Sequence, residues 1–314
     1  MTSTDRHLIL LGPQPKHASL QKVLLELELR SPVALITAGW ETEENQDHEL
    51  QRVIGIDALN LNLFGRTEQL FADDPELIQG LQARQDELRH LRDDYNERLH
   101  LLLQAARKVA QRNDKLIDWS AERESSIEMI RQLDRQHFQH SSRVIDDYEN
   151  QLKVSERPLV IEHRQQLAEL MERCNALLIA GGHVAIILNR LQIFGILDMR
   201  PDLLTIAWSG GAMALAEQVV FFHDSPPQGQ GDAEVLRAGM GLFADILPLP
   251  DARSRLNLDN RSSVELFSRR FGHFQNVVFD EQTRLDRKRG RWQDHSAIGA
   301  VCLGDCGRIV DFKA

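Results

Sequence analysis

Short apolar runs alternate with helical stretches over the first 75 residues of the chain. Residues His7–Gly12 and Pro32–Ala38 form two such runs, and a helix is predicted between them near Ser19–Leu29. Each run ends at glycine or at small residues, as buried parallel strands do before a turn. This order of strand, helix and strand predicts a doubly wound parallel sheet.

The stretch from about 76 to 156 has a different pattern, in which Glu, Gln, Arg and Leu dominate and proline is absent. Apolar side chains recur there at intervals of seven residues: Leu81, Leu88, Tyr95, Leu102, Val109 and Leu116. A repeat of this length is typical of coiled-coil helices. A weaker repeat follows a break at Asp118–Ser120, where a second helix can begin. We therefore predict a long helical hairpin.

Strands and helices alternate again from Pro158 onward. A helix at Val160–Cys174 precedes the apolar run Ala176–Ala180, and another run follows at Leu203–Ala207. Short β-like pieces close the chain at Asn276–Phe279, Ala297–Leu303 and Arg308–Phe312. The basic stretch Arg284–Arg291 between them is predicted to be a solvated loop. The pattern predicts one α/β domain, residues 1–75 and 157–314, interrupted by a hairpin at 76–156.

Charge and composition exclude several classes of function. The net charge of −10 argues against a protein that binds the nucleic-acid backbone. No run reaches the roughly 18 apolar residues that a membrane helix needs. Three cysteines cannot form a closed set of disulfides, so a cytoplasmic location is expected. No motif for a metal, a nucleotide or another cofactor is present.

The sharpest chemical signal is an apolar strand that runs directly into Ser209 and is followed at once by a helix. This is the order of a nucleophile elbow, in which a tight turn lifts a serine hydroxyl above the sheet. Gly210 and Gly211 suit such a turn, and the amide after the serine is placed to stabilise an oxyanion. A plain strand-to-helix turn with a serine cap fits the same residues.

Two motifs resemble the peptidase S51 family, which includes dipeptidase E and cyanophycinase. They are Ala180-Gly-Gly-His183 and Ala207-Trp-Ser-Gly-Gly-Ala212, in the family's order and at a plausible spacing. Gly239–Phe243 and Phe279–Thr283 resemble two later segments of the family. The resemblance covers most of residues 1–75 and 157–314. It implies a three-layer α/β fold with a mostly parallel sheet, similar to class I glutamine amidotransferase domains, and the hairpin is an insertion into it.

The resemblance also implies a catalytic serine, an acidic partner and a histidine base. Ser209 matches the serine and Asp224 the acidic member, unless Asp224 is only a loop residue. The histidine is expected within about Pro250–Arg255, where the sequence has none. His183 is the candidate for a displaced base, although a structural role is as compatible with its position. Gly182 and Gly210 are the implied oxyanion donors.

Two functions remain open at this point. The chain is a non-catalytic module that binds or assembles through its hairpin, as a homodimer or with a partner protein, or it is a serine hydrolase of peptide or amide bonds. The hairpin repeat can instead be satisfied within one chain. The resemblance implies a peptide-like or amino-acid-like ligand. Arg253 and Arg255 are candidates to bind the carboxylate of such a ligand. Pairing of these arginines with Asp251 or Asp259 is the alternative.

Overall fold

A computed structural model describes residues 6–15, 18–29, 32–112, 117–222 and 231–313 of the chain. The strands are, in chain order, β1 (Leu8–Leu11), β2 (Val33–Ile36), β3 (Ala58–Asn60), β4 (Ala176–Ile179), β5 (Leu204–Trp208), β6 (Gln218–Phe221), β7 (Glu234–Ala238), β8 (Ile246–Pro250), β9 (Gln275–Phe279), β10 (Arg284–Lys288), β11 (Arg291–Asp294), β12 (Val301–Gly304) and β13 (Arg308–Asp311). The helices are α1 (Ala18–Glu26), α2 (His48–Ile54), α3 (Leu63–Asp73), α4 (Pro75–Ala110), α5 (Ser120–Leu152), α6 (Pro158–Glu172), α7 (Val184–Phe194), α8 (Ile196–Met199), α9 (Gly210–Leu215), α10 (Ala252–Arg255) and α11 (Arg261–Arg270).

The main sheet draws its strands from both sides of the long helices. Within the described ranges its order is β11-β10-β1-β5-β4-β2-β3. The neighbours β1, β5, β4, β2 and β3 pair in parallel. Strands β10 and β11 extend the sheet beyond β1 in antiparallel fashion. The predicted mostly parallel sheet is confirmed.

Helices cover both faces of this sheet and give it the predicted three layers. On one face, Leu20 of α1 and Leu50 of α2 pack with Ile9 and Leu35 in one hydrophobic cluster. On the other face, α3, α6 and α7 pack on the opposite side chains of the same strands. Because both faces are covered, β1, β2 and β4 are buried at every position. This explains why their sequences are continuous apolar runs.

Two smaller sheets also belong to the body, by which we mean the described residues outside the hairpin of α4 and α5. One has the order β13-β12-β9-β8, with β8 and β9 parallel and the other neighbours antiparallel. The other is the antiparallel pair β6 and β7. Strand β7 contacts helix α5 and so connects the body to the long helices.

Helices α4 and α5 pack against each other as an antiparallel hairpin. Asp74 caps α4 by accepting a hydrogen bond from the backbone N–H of Leu77, and Arg157 binds the same carboxylate at 2.8 Å. These contacts join the two ends of the hairpin at its base. At 36 residues, α4 is about 54 Å long for a rise of 1.5 Å per residue.

Contacts within the chain cover most of the seven-residue repeat. Leu81 and Tyr95 are buried, whereas the positions between and beyond them are half-buried: Leu88, Leu102 and Val109. Leu116 lies outside the described residues. The hairpin also shares one hydrophobic cluster with the body, because Tyr95 and Leu133 belong to the same cluster as the strands of the main sheet.

A buried polar cluster fastens the hairpin to the body. Arg270 of α11 donates to both carboxylate oxygens of Asp134 of α5 at 2.7 Å. Tyr95 of α4 donates to Asp134 at 2.8 Å and accepts hydrogen bonds from Arg270 and from the backbone N–H of Val235. The side chains of Arg270 and Asp134 are only 2% and 9% exposed. This cluster therefore joins both helices of the hairpin to α11 and β7.

The prediction of a solvated loop at Arg284–Arg291 is wrong. Residues 284–294 form the antiparallel strands β10 and β11 at the edge of the main sheet. Leu285, Asp286 and Arg287 are buried, because β10 pairs along its length with β1.

None of the described helices combines the length and the apolar character that a membrane span requires.

Candidate functional site at Ser209

Ser209 occupies the turn between strand β5 and helix α9. Its backbone angles are φ 48° and ψ −122°. Its N–H donates to the carbonyl of Leu11 at 3.3 Å, and its own carbonyl accepts from Met213 at 3.1 Å. A residue other than glycine at such a positive φ costs about 1–3 kcal/mol and persists only where the surrounding structure fixes it. The structure thus gives Ser209 the backbone that the predicted elbow requires.

The segment after β4 packs directly on this turn and explains the glycines. A Cβ atom at Gly210 would lie 2.4 Å from the carbonyl oxygen of Gly182. A Cβ atom at Gly181 would lie 2.8 Å from the Cβ atom of Ser209. Neither position has room for a side chain, so the two glycine-containing motifs of the sequence meet in space.

The backbone amides of Gly182 and Gly210 are available to a ligand. No hydrogen bond between described residues uses the N–H of either glycine. Gly210 is the first residue of α9, where N–H groups have no partner within the helix. Donors of this kind beside a serine are the groups that stabilise an oxyanion.

Ser209 opens into a cavity of about 1280 Å³, which we call the serine cavity. Much of its wall is formed by residues at or just after the carboxyl ends of β1, β4, β5, β8 and β9, where ligands bind in open α/β sheets. The residues that bear on its chemistry are Trp40, His183, Asp251, Arg253, Arg255 and Asp280.

His183 lines the serine cavity but is placed as a helix cap. It is the N-cap residue of α7, and its ring Nδ1 accepts a hydrogen bond of 3.4 Å from the backbone N–H of Ile186. The side chain is exposed, and no hydrogen bond joins it to Ser209 among the described residues. The structure therefore brings His183 to the same cavity as Ser209 without coupling the two side chains.

Asp251 belongs to the segment Pro250–Arg255, within which the resemblance places the histidine. It is the first residue after β8, has φ 58°, and lines the serine cavity with an exposed side chain. Its carboxylate lies 4.0 Å from the guanidinium of Arg255. Serine hydrolases commonly use an imidazole as the base, and none of the described residues of this segment is a histidine.

The two arginines proposed to bind a carboxylate both line the serine cavity. Arg253 donates from Nε to Asp280 at 2.7 Å, and its side chain remains 53% exposed. The guanidinium of Arg255 lies 5.9 Å from the ring centre of Phe222. Pairing of Arg255 with Asp251 was one of the open alternatives, whereas the partner of Arg253 is Asp280. From the sequence, Asp280 could be identified as a residue of the site only because it belongs to Phe279–Thr283, a segment that resembles the family.

The predicted acidic partner Asp224 lies outside the described residues. None of the three cysteines is among the described residues that line the serine cavity. Cys174 and Cys302 are buried free thiols, and Cys306 is an exposed one. No group of three or more potential metal ligands occurs in the described part of the chain.

Comparison with known proteins finds matches among solved structures at low sequence identity. No protein-family model and no curated protein matches the chain. A solved peptidase from an acI-B1 Actinobacterium shares 13% identity over 98% of this chain and 97% of its own, with a TM-score of 0.46. A putative peptidase E from Listeria monocytogenes EGD-e shares 9% identity over 93% of this chain and 98% of its own, with a TM-score of 0.44. Because both TM-scores are below 0.5, the function proposed below is argued from the residues of the site.

Proposed function

We propose that this chain is a binding protein that keeps the serine elbow of an S51-like peptidase but has lost its hydrolase activity. The absence of a histidine from the segment Pro250–Arg255, which lines the serine cavity and within which the base is expected, is the observation that carries this proposal. A serine hydroxyl is a poor nucleophile unless a base within hydrogen-bond reach takes its proton. The placement of His183 as the cap of α7 supports the same conclusion.

The retained features of the serine cavity favour a small ligand with a carbonyl or carboxylate group. The free amides of Gly182 and Gly210 can receive an oxygen, and Arg253 and Arg255 stand on the same cavity wall. Guanidinium groups bind carboxylates with two parallel hydrogen bonds. A dipeptide with an acidic side chain meets these requirements and agrees with the ligand that the family resemblance implies.

The test is calorimetric titration with a panel of acidic and neutral dipeptides, together with mass spectrometry of the mixture after prolonged incubation. We expect saturable binding of an acidic dipeptide and recovery of the intact dipeptide. Arg253→Gln should weaken the binding about tenfold or more, since one charge-assisted contact is worth about 1.5–3 kcal/mol. Arg308→Gln, at an exposed arginine of β13 outside the cavity, is the matched control. Turnover that Ser209→Ala abolishes would contradict the proposal.

A serine hydrolase with a displaced base is the second candidate. It is favoured by the backbone of Ser209, because a strained turn is costly to keep in a protein that does not use it. In this case Ser209 is the nucleophile, the two glycine amides hold the oxyanion, and His183 would have to leave its capping position to take the proton. Dipeptide cleavage that both Ser209→Ala and His183→Ala abolish would support this candidate.

Assembly through the hairpin stays a prediction. The observation that favours it is the exposure of large apolar side chains toward the tip, with Leu101 at 61% and Met129 at 53%. Light scattering of the intact chain measures its mass directly. If the tip mediates assembly, Leu101→Glu should reduce the mass of the particle, and Leu25→Glu on α1, which replaces a leucine that is 72% exposed, should leave it unchanged. A monomeric intact chain would contradict the prediction.

A further inference from the structure

A second cavity, of about 440 Å³, lies between the hairpin and the body. Helix α4 and helix α5 form one side of it, and α7 and β7 form the other. The described residues that line it include five arginines and no aspartate or glutamate: Arg84, Arg89, Arg92, Arg190 and Arg237. The chain as a whole has a net charge of −10, so the positive charge of this cavity is opposite in sign to the net charge of the protein. We call it the arginine cavity.

Three of these arginines are buried and incompletely hydrogen-bonded. Arg84, Arg190 and Arg237 are 4%, 6% and 8% exposed. The Nε atom of each is buried and has no hydrogen-bond partner among the described residues. Desolvation lowers the pKa of all three, and it lowers that of Arg237, together with the nearby charge of Arg84, to about 10. Burial therefore makes these positive charges costly to hold, and an anion bound in the cavity would offset that cost.

The carboxylates around the cavity compensate only part of this charge. Carboxylate oxygens of Glu149, Glu68 and Asp86 lie 3.2 Å from Arg84, 3.6 Å from Arg190 and 2.9 Å from Arg89, but all three carboxylates are substantially exposed. Arg237 donates to the neutral amide of Gln192, and no described carboxylate forms an ion pair with it. An unpaired buried charge is among the costliest features that a protein can retain.

We propose that the arginine cavity binds a small organic dianion, with a phosphate ester or closely spaced carboxylates on a partly apolar body. Planar guanidinium groups match the oxygens of phosphate and carboxylate. Leu81, Ile186 and Leu236 supply an apolar wall for the rest of the ligand. The volume lies within the range of about 300–1,000 Å³ that is usual for small-molecule sites.

The hairpin supplies part of this site. Arg84, Arg89 and Arg92 come from α4, and the other two arginines come from the body. Arg89 is exposed and Arg92 is half-buried, so we infer that the cavity opens to solvent beside them. His183 lines both this cavity and the serine cavity, although the proposal does not depend on the function of Ser209.

Calorimetric titration with inorganic phosphate, adenosine monophosphate and citrate, at constant ionic strength set with sodium chloride, tests the proposal. We expect at least one of these probes to bind saturably to the intact chain. Binding of phosphate or the nucleotide without citrate identifies a phosphate ester as the ligand class, and binding of citrate alone identifies a polycarboxylate. An absence of saturable binding for all three probes would overturn the proposal.

Two variants locate the binding. Arg237→Met should lower the affinity at least tenfold, and without a probe it should melt at the same temperature as the parent or higher, because it removes an unpaired buried charge. Arg92→Gln changes a half-buried side chain at the opening, so it should fold normally and lower the affinity several-fold.

Two control variants distinguish binding in the arginine cavity from binding elsewhere on the chain. Arg98→Gln makes the same change of charge on the exposed face of α4, where Arg98 pairs with Asp94 outside the cavity, and it should leave the affinity unchanged. Ser209→Ala should also leave it unchanged, because the serine belongs to the other cavity. Equal weakening by Arg98→Gln and Arg92→Gln would mean that the anion binds to the general charge of the helix, and the proposal would be wrong.

Discussion

The buried pair of Arg270 and Asp134 gives the most quantitative prediction about stability. Asp134→Ala removes both carboxylate contacts of Arg270, at 2.7 Å each, and one acceptor of Tyr95. It leaves a guanidinium that is only 2% exposed without its counter-charge. Removing one partner of a buried ion pair costs about 3–5 kcal/mol, because the remaining charge is desolvated and unpaired. We expect a loss of this size in the free energy of unfolding.

Guanidinium chloride unfolding, followed by circular dichroism and by tryptophan fluorescence, measures this loss. Asp94→Ala is the matched control on the same hairpin, since Asp94 and its partner Arg98 are 67% and 53% exposed. Exposed pairs are worth about 0–1 kcal/mol, so the control should unfold close to the parent. The double variant Asp134→Ala with Arg270→Met should recover part of the loss, because no buried charge is left. A loss below about 1 kcal/mol in Asp134→Ala would refute the reasoning.

Three further outcomes follow from the structure. Gly210→Ala should lower the melting temperature, because the new Cβ atom would lie 2.4 Å from a backbone carbonyl oxygen. Gly231→Ala is the control and should be neutral, since its Cβ atom would have no atom within 4 Å. An equal effect of the two substitutions would contradict the packing around Ser209. Cys306 should react quickly with a thiol reagent at pH 8, whereas Cys302, whose pKa burial raises to about 12, should react only after unfolding; fast modification of Cys302 would contradict its burial. Asp251→His should create reactivity toward a fluorophosphonate probe, since histidine tolerates the positive φ at this position, and an unreactive variant would mean that position 251 cannot present a base to the serine.

The order of strands and helices could be predicted from the sequence because burial on both faces of the sheet constrains each strand residue. Strands β1, β2 and β4 are covered on both faces, so their residues must all be apolar. The elbow could be predicted for a similar reason, since the contact between Gly210 and the carbonyl of Gly182 leaves no room for side chains.

The edge of the main sheet could not be predicted from local sequence. Arg284–Arg291 is rich in charge, and its interpretation as a loop followed from that charge alone. Its actual structure depends on pairing with β1, which comes from the opposite end of the chain. Leu285 is the one apolar residue of β10, and it pairs with Leu10 of β1. A single apolar residue among charged ones does not show the alternation that predicts a strand.

The arginine cavity could not be predicted from the sequence either, because its arginines come from separate elements. Arg84, Arg190 and Arg237 lie on α4, α7 and β7. One local signal was present at Arg84, which follows the buried Leu81 by three residues and therefore lies on the same side of α4. A charged residue on the buried side of a helix requires a partner, and sequence alone does not show where that partner comes from.

Covalent labelling by a fluorophosphonate probe, with peptide mapping by mass spectrometry, tests the central claim most directly. The intact chain is compared with Ser209→Ala and with an active serine hydrolase as a positive control. The account predicts no label at Ser209, because the segment Pro250–Arg255 has no histidine to act as the base and His183 caps α7. Stoichiometric label at Ser209 that disappears in Ser209→Ala would contradict it and establish an activated serine.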